Sequence, residues 1–182
     1  MAGTMVSVVD RANLMQGRCA ALASFDGGRT WSAHMFAFPR CYDPWVAILE
    51  DGTAVFAGLE TNDLGQVPHL WLFRSPDGGR TWPDLGHSFG RGHDHPTLIV
   101  DRSQGKFHGL LYLTSTHVVR DAQSRVRNKV FVARSSDGAR TFSQIVDHEV
   151  SNMNNVIMTA AVLPDGALLV PLTAIQRRVA DD

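Results

Sequence analysis

The residues of this chain best equipped for chemistry are His93-Asp94-His95, a carboxylate between two imidazoles. Such a carboxylate suits proton transfer, because burial or a neighbouring charge moves its pKa toward the working range of an acid/base group. Asp43, between Tyr42 and Pro44, stands at a comparable place one repeat earlier. An Asp there serves either as acid/base or ligand acceptor, or as a cap for the backbone amides ahead of the proline. Tyr42 offers a phenol that stacks on a ligand ring, acts as nucleophile with Glu60 as partner, or packs at a rim. Arg40 and Arg91 precede these two segments, as anion grips or as solvated loop charges. A metal reading of His93, Asp94 and His95 needs a third ligand from His69 or His117, because neighbours on a strand point to opposite sides. No metal site is expected.

The elements that must position these residues are set by a motif that occurs three times. Ser24-Phe25-Asp26-Gly27-Gly28-Arg29-Thr30-Trp31 returns as Ser75-Pro76-Asp77-Gly78-Gly79-Arg80-Thr81-Trp82, and again as Ser135-Ser136-Asp137-Gly138-Ala139-Arg140-Thr141-Phe142. Asp at the entrance accepts backbone N–H bonds, and the glycines supply positive φ at no steric cost. Ser and Thr hydroxyls tie the flanks, and the closing aromatic starts an outgoing strand with a ring to bury. Apolar runs precede each copy: Cys19 to Ala23, Leu70 to Phe73, and Val130 to Ala133. Each copy is therefore a hairpin corner, and repeats at this spacing predict stacked all-β units with propellers heading the candidates.

This pattern resembles the Asp box, or BNR repeat, of the sialidase (neuraminidase) superfamily. The resemblance covers residues 17–172 and implies a sialidase-like β-propeller of four-stranded antiparallel blades. In that family the box joins the third and fourth strands of a blade on the face away from the active site. Ser24, Asp26, Gly28, Thr30, Trp31, Ser75, Asp77, Gly79, Thr81, Trp82, Ser135, Asp137, Thr141 and Phe142 are structural on this reading. True sialidases bind substrate where the inner strands begin, with three arginines on the sialate carboxylate, an Asp as acid/base and a Tyr–Glu nucleophile pair. The resemblance implies Asp94, Asp43 and Tyr42 as catalytic candidates, with Arg40, Arg91, His93 and His95 around the substrate. The family's Arg-Ile-Pro landmark reads here Tyr42-Asp43-Pro44, Asp94-His95-Pro96 and Val156-Ile157-Met158, with no arginine in any copy. That departure favours the alternative of a non-catalytic module binding glycan or protein. Ca²⁺ held by loop carboxylates occurs in the superfamily; no motif here specifies it, and no cofactor is expected.

In order, residues 1–16 read as a frayed entrance and 17–38 as the outer two strands of a blade. Residues 42–90 and 94–150 read as two full blades, and 154–172 as the first two strands of another. That makes about three blades, half of the six in sialidase-type propellers. The chain reads either as a piece of a longer protein or as one of two copies that complete each other's half-blades in a homodimeric ring.

Composition narrows the classes. In 182 residues, 17 Lys and Arg face 18 Asp and Glu, a balance that gives no reason to expect nucleic acid or an anionic membrane as partner. No apolar run approaches the ~18–20 residues that span a bilayer. The first ten residues lack the basic region and apolar length of a secretory signal; the family is often exported, so the compartment stays open. Cys19 and Cys41 pair only if their strands are neighbours, and free buried thiols are the expectation. Nucleophile-elbow, phosphate-loop and CxxC patterns are missing.

Overall fold

The computed structural model describes residues 2–10, 13–61, 68–83, 85–149 and 154–175. The described residues form strands β1 Ala2–Asp10, β2 Asn13–Ala23, β3 Ser32–Met35, β4 Cys41–Ile48, β5 Ala54–Glu60, β6 His69–Ser75, β7 His87–Arg91 and β8 His93–Val100. Then follow β9 Leu111–Arg120, β10 Val126–Ser135, β11 Ser143–His148, β12 Asn154–Ile157, β13 Ala161–Val162, β14 Leu168–Leu169 and β15 Leu172–Ile175. β4 to β7 and β8 to β11 are four-stranded antiparallel sheets in chain order, two blades of a partial propeller. The closing hairpin pairs β12 with β15 and β13 with β14.

The first sheet departs from the sequence reading. It has three strands, because residues 2–10, expected to be frayed, pair antiparallel with β2 from Ala2↔Leu22 to Asp10↔Asn13. The alternation in Met5-Val6-Ser7-Val8 is enough for a strand once β2 offers it an edge.

Burial explains the long apolar runs. In β5, Val55, Ala57 and Leu59 enter a core shared with Leu98, Leu113 and Phe131 of the next sheet. The alternate residues Ala54 and Phe56 enter a second core with Cys19, Phe36 and Phe73 on the other side. A strand buried on both faces needs no polar alternation. Beyond the next sheet a third core holds Tyr112, Val130, Val132 and Ile157. Cys19 and Cys41, far from being free thiols, form a disulfide with 5.4 Å between Cα atoms, because the chain folds β2 and β4 side by side. It ties the first sheet to the second.

The three S-x-D-G turns have one hydrogen-bond plan. In the second, Asp77 Oδ1 accepts from Ser75 Oγ at 2.7 Å, Arg80 N at 3.0 Å and Thr81 N at 2.9 Å, and Oδ2 accepts from Thr81 Oγ1 at 2.6 Å. The Thr30 hydroxyl, then the Thr30 amide, pull Asp26 down to about 2, and the matching threonines depress Asp77 and Asp137 further. The third turn places Ala139 at φ 65°, in the left-handed region where the other copies have glycine. Each closing aromatic packs backwards: Trp82 meets Phe36 of the first sheet edge-on at 5.4 Å, and Phe142 meets Phe89 of the second at 5.1 Å. Trp31, with no sheet before it among the described residues, is 53% exposed.

Candidate active site

The opening parts of β4 and β8, and the end of β12 with the residues just after it, meet at one cleft of about 230 Å³. Asp43 and Trp45 line it from β4, His95 and Thr97 from β8, and Ile157 and Met158 from the end of β12 and just after it. The sequence builds it with two X-Pro steps. Proline has no N–H for a ladder, so the pairing of β4 with β5 jumps between Tyr42 and Trp45, and that of β8 with β9 between Asp94 and Thr97. The residues before the prolines take φ 47° at Asp43 and φ 50° at His95. A non-glycine residue there is strained, more so before proline, and such strain gathers at functional sites. The bulges turn both side chains into the cleft.

Asp43, Asp94 and His95 thereby meet, with one ligand atom of each within 4.8 Å of the others. Asp94 Oδ2 lies 3.1 Å from His95 Nδ1, and its Oδ1 accepts the His95 amide. Both side chains are about half exposed, so solvent and ligands reach the pair. Two carboxylates and an imidazole at this spacing can pass a proton, accept hydroxyl hydrogen bonds or hold a cation. The three-donor set draws on two sheets, whereas the sequence reading sought it within His93-Asp94-His95. Trp45 fixes the wall, its indole N–H donating to Leu98 O at 2.9 Å across the sheets.

The other candidates lie elsewhere. His93 is buried, with Nδ1 2.7 Å from Ser115 Oγ and its ring stacked on His117 at 4.9 Å. Burial, and then the His117 charge, push its pKa down to about 4, so it stands neutral in the core. Tyr42 packs against the core between the second and third sheets and does not line the cleft. Its suggested partner Glu60 sits opposite Cys41 and accepts the Trp71 indole N–H at 2.7 Å. Arg91 ends β7 opposite His69 and, after burial, helps lower that histidine's pKa. Arg40 offers its carbonyl to Thr61 N. Neither arginine lines the cleft.

Sequence reasoning missed Thr97, Met158 and Thr159, and Trp45, which both packs against the core and lines the cleft. The available signal was the repeated X-Pro step, which aligns Asp43 with His95 and Tyr42 with Asp94.

No protein-family profile and no curated protein matches the chain. Among solved structures, it resembles a protein of unknown function from Dyadobacter fermentans with TM-score 0.61 and 19% identity, over 87% of this chain and 51% of that one. A Hadza microbial sialidase matches with TM-score 0.52 and 23% identity, over 89% of this chain and 33% of that one. A Penicillium chrysogenum α-L-arabinanase, complexed with arabinobiose, matches with TM-score 0.45 and 20% identity, over 70% and 39%. The chain spans about half of the first of these and well under half of the other two. Likeness at these identities concerns fold, and in fold the chain is a partial, sialidase-like β-propeller.

Proposed function

We propose that the cleft between β4, β8 and the end of β12 is a glycan site, and that the chain forms part of a glycoside hydrolase of the sialidase-like kind. The observation that carries this reading is the meeting of Asp43, Asp94 and His95 on two strained bulges. Asp94 is the acid/base. Asp94 itself does not line the cleft, but its Oδ2 lies 3.1 Å from Nδ1 of His95, which does, so the pair can pass a proton to a glycosidic oxygen bound there. Asp43 faces the same space as the second carboxylate.

The narrower form of the proposal is an exo-α-sialidase, which needs cations for the substrate carboxylate. Arg40 and Arg91 do not line the cleft, and no other Arg or Lys among the described residues does, so the grips would come from elsewhere. A homodimeric ring is one source. Because β1 already covers one edge of β2, a partner's closing hairpin would have to pair with β1 or displace it. The second reading is a non-catalytic glycan- or protein-binding propeller. The specific observation for it is that Tyr42, Asp94 and Val156 stand where the family places arginine.

The test is a panel of 4-methylumbelliferyl glycosides, the α-sialoside included, assayed with the protein and with Asp94→Asn. Turnover that falls at least about a hundredfold in the variant supports the assignment. Turnover that survives overturns Asp94 as the acid, and binding without turnover favours the second reading.

A further inference from the structure

A second cleft of about 340 Å³ is lined by edge strand β3 and the residues just after it, by β6, and by the segment that leads to β7. Its size is within the ~300–1,000 Å³ range of small-molecule sites. Its walls are aromatic: Phe36, Phe38, Phe73 and Trp71 all line it. The three phenylalanines pack on one another, with centroids 4.7 Å apart for Phe36 and Phe73 and 5.6 Å for Phe38 and Phe73. They rest on the core that holds the disulfide, so this wall is rigid.

Trp71 is held as firmly. Its indole N–H donates to Glu60 Oε2 at 2.7 Å, and His69 stacks on one ring face at 4.6 Å. His69 is anchored by Ser88 Oγ at 2.6 Å. Glu60 lines the cleft beside these rings, and no Lys or Arg side chain lines it. Glu60 has no ion-pair partner among the described residues. A carboxylate among aromatic faces, with no Lys or Arg side chain lining the cleft among the described residues, is the chemistry of organic-cation recognition: the ring quadrupoles and the carboxylate both attract positive charge, and the rings accept the apolar substituents around it.

We propose that this cleft binds a quaternary or alkylated ammonium group, with Trp71 and the phenylalanines as the cage and Glu60 as counter-charge. The site is separate from the β4–β8–β12 cleft and does not depend on the glycan reading. A neutral sugar would use Trp71 as a stacking platform and has no need of an uncompensated carboxylate.

The experiment titrates the ¹⁵N-labelled protein with choline, with its neutral isostere 3,3-dimethylbutan-1-ol, and with methyl β-D-glucopyranoside, following the indole N–H resonances and the heat of binding. Choline should shift the Trp71 indole resonance saturably, and the isostere should bind about tenfold more weakly or worse. Glu60→Gln keeps an oxygen for the Trp71 N–H and removes only the charge, so it should lose about tenfold for choline and nothing for the isostere. Trp71→Leu should abolish binding with the spectrum otherwise folded, while Asp94→Asn should bind as the parent does. Equal binding of choline and the isostere, glucoside binding at the same resonances, or no saturable shift at all would each overturn the proposal.

Discussion

Acid should weaken this fold through one buried ring. His93 is 2% exposed, stacked on His117 and bound to Ser115, and its pKa lies at about 4 against an ordinary 6.5. The folded state therefore resists protonation that the unfolded chain accepts. For a group whose folded pKa is lowered, the stability is present above pH 6.5 and is lost as pH falls toward 4. At about 1.4 kcal/mol per pKa unit the full loss is about 3 kcal/mol, most of it gone by pH 4.5. That is a large part of the ~5–15 kcal/mol that holds an ordinary domain together. The assay is urea denaturation followed by tryptophan fluorescence at pH 7.5, 6.0, 5.2 and 4.5, for the parent and for His93→Asn. Asparagine places a polar atom near the former Nδ1 and can still meet Ser115, but does not titrate. The parent should lose about 2–3 kcal/mol more than the variant between pH 7.5 and 4.5. Parallel loss in the two proteins would refute the assignment of the acid sensitivity to His93.

Other outcomes follow from single contacts. Reduction of Cys19–Cys41, or Cys19→Ala with Cys41→Ala, should cost about 3 kcal/mol for a closed loop of 22 residues, read as a lowered melting temperature. An unchanged midpoint in reductant would show that the bond contributes nothing. Gly58→Ala would set a methyl 2.9 Å from the Phe56 ring and 3.0 Å from Cys41 Sγ, and should destabilise by about 1–3 kcal/mol in denaturant titration. Ala139→Gly relieves a left-handed alanine and should hold or raise stability by up to about 1 kcal/mol; a clear loss would contradict the reading of that turn. With β1 covering one edge of β2, light scattering should give a monomer, and a stable species of twice the mass would mean closure in trans.

What the sequence made legible was whatever is encoded locally. Asp26, Asp77 and Asp137 each build a turn from residues within four positions, so the corners and the strands that flank them follow from the string alone. The regular alternation of a strand, by contrast, misled the reading of the site. On an unbroken β8, Asp94 and His95 would face opposite ways; the bulge before Pro96 brings them together, and no periodicity reports a bulge. The same rule let His93 look like a neighbour of the site although it packs with Ser115 and Phe131. The disulfide and the Trp71 cleft depend on which sheets become neighbours, and pairs such as Cys19 with Cys41 carry no local sign of it.

The disulfide also bears on where the protein can be whole. Such bonds last in extracellular, periplasmic or lumenal surroundings, and a thiol-rich cytosol keeps most cysteines reduced. Chain produced there would hold its first sheet to the second by packing alone, with Phe36 and Phe38 resting on two unlinked thiols. The same polypeptide thus has a stapled and an unstapled form, chosen by the glutathione around it. Any assay of the neighbouring aromatic cleft should begin by counting free thiols.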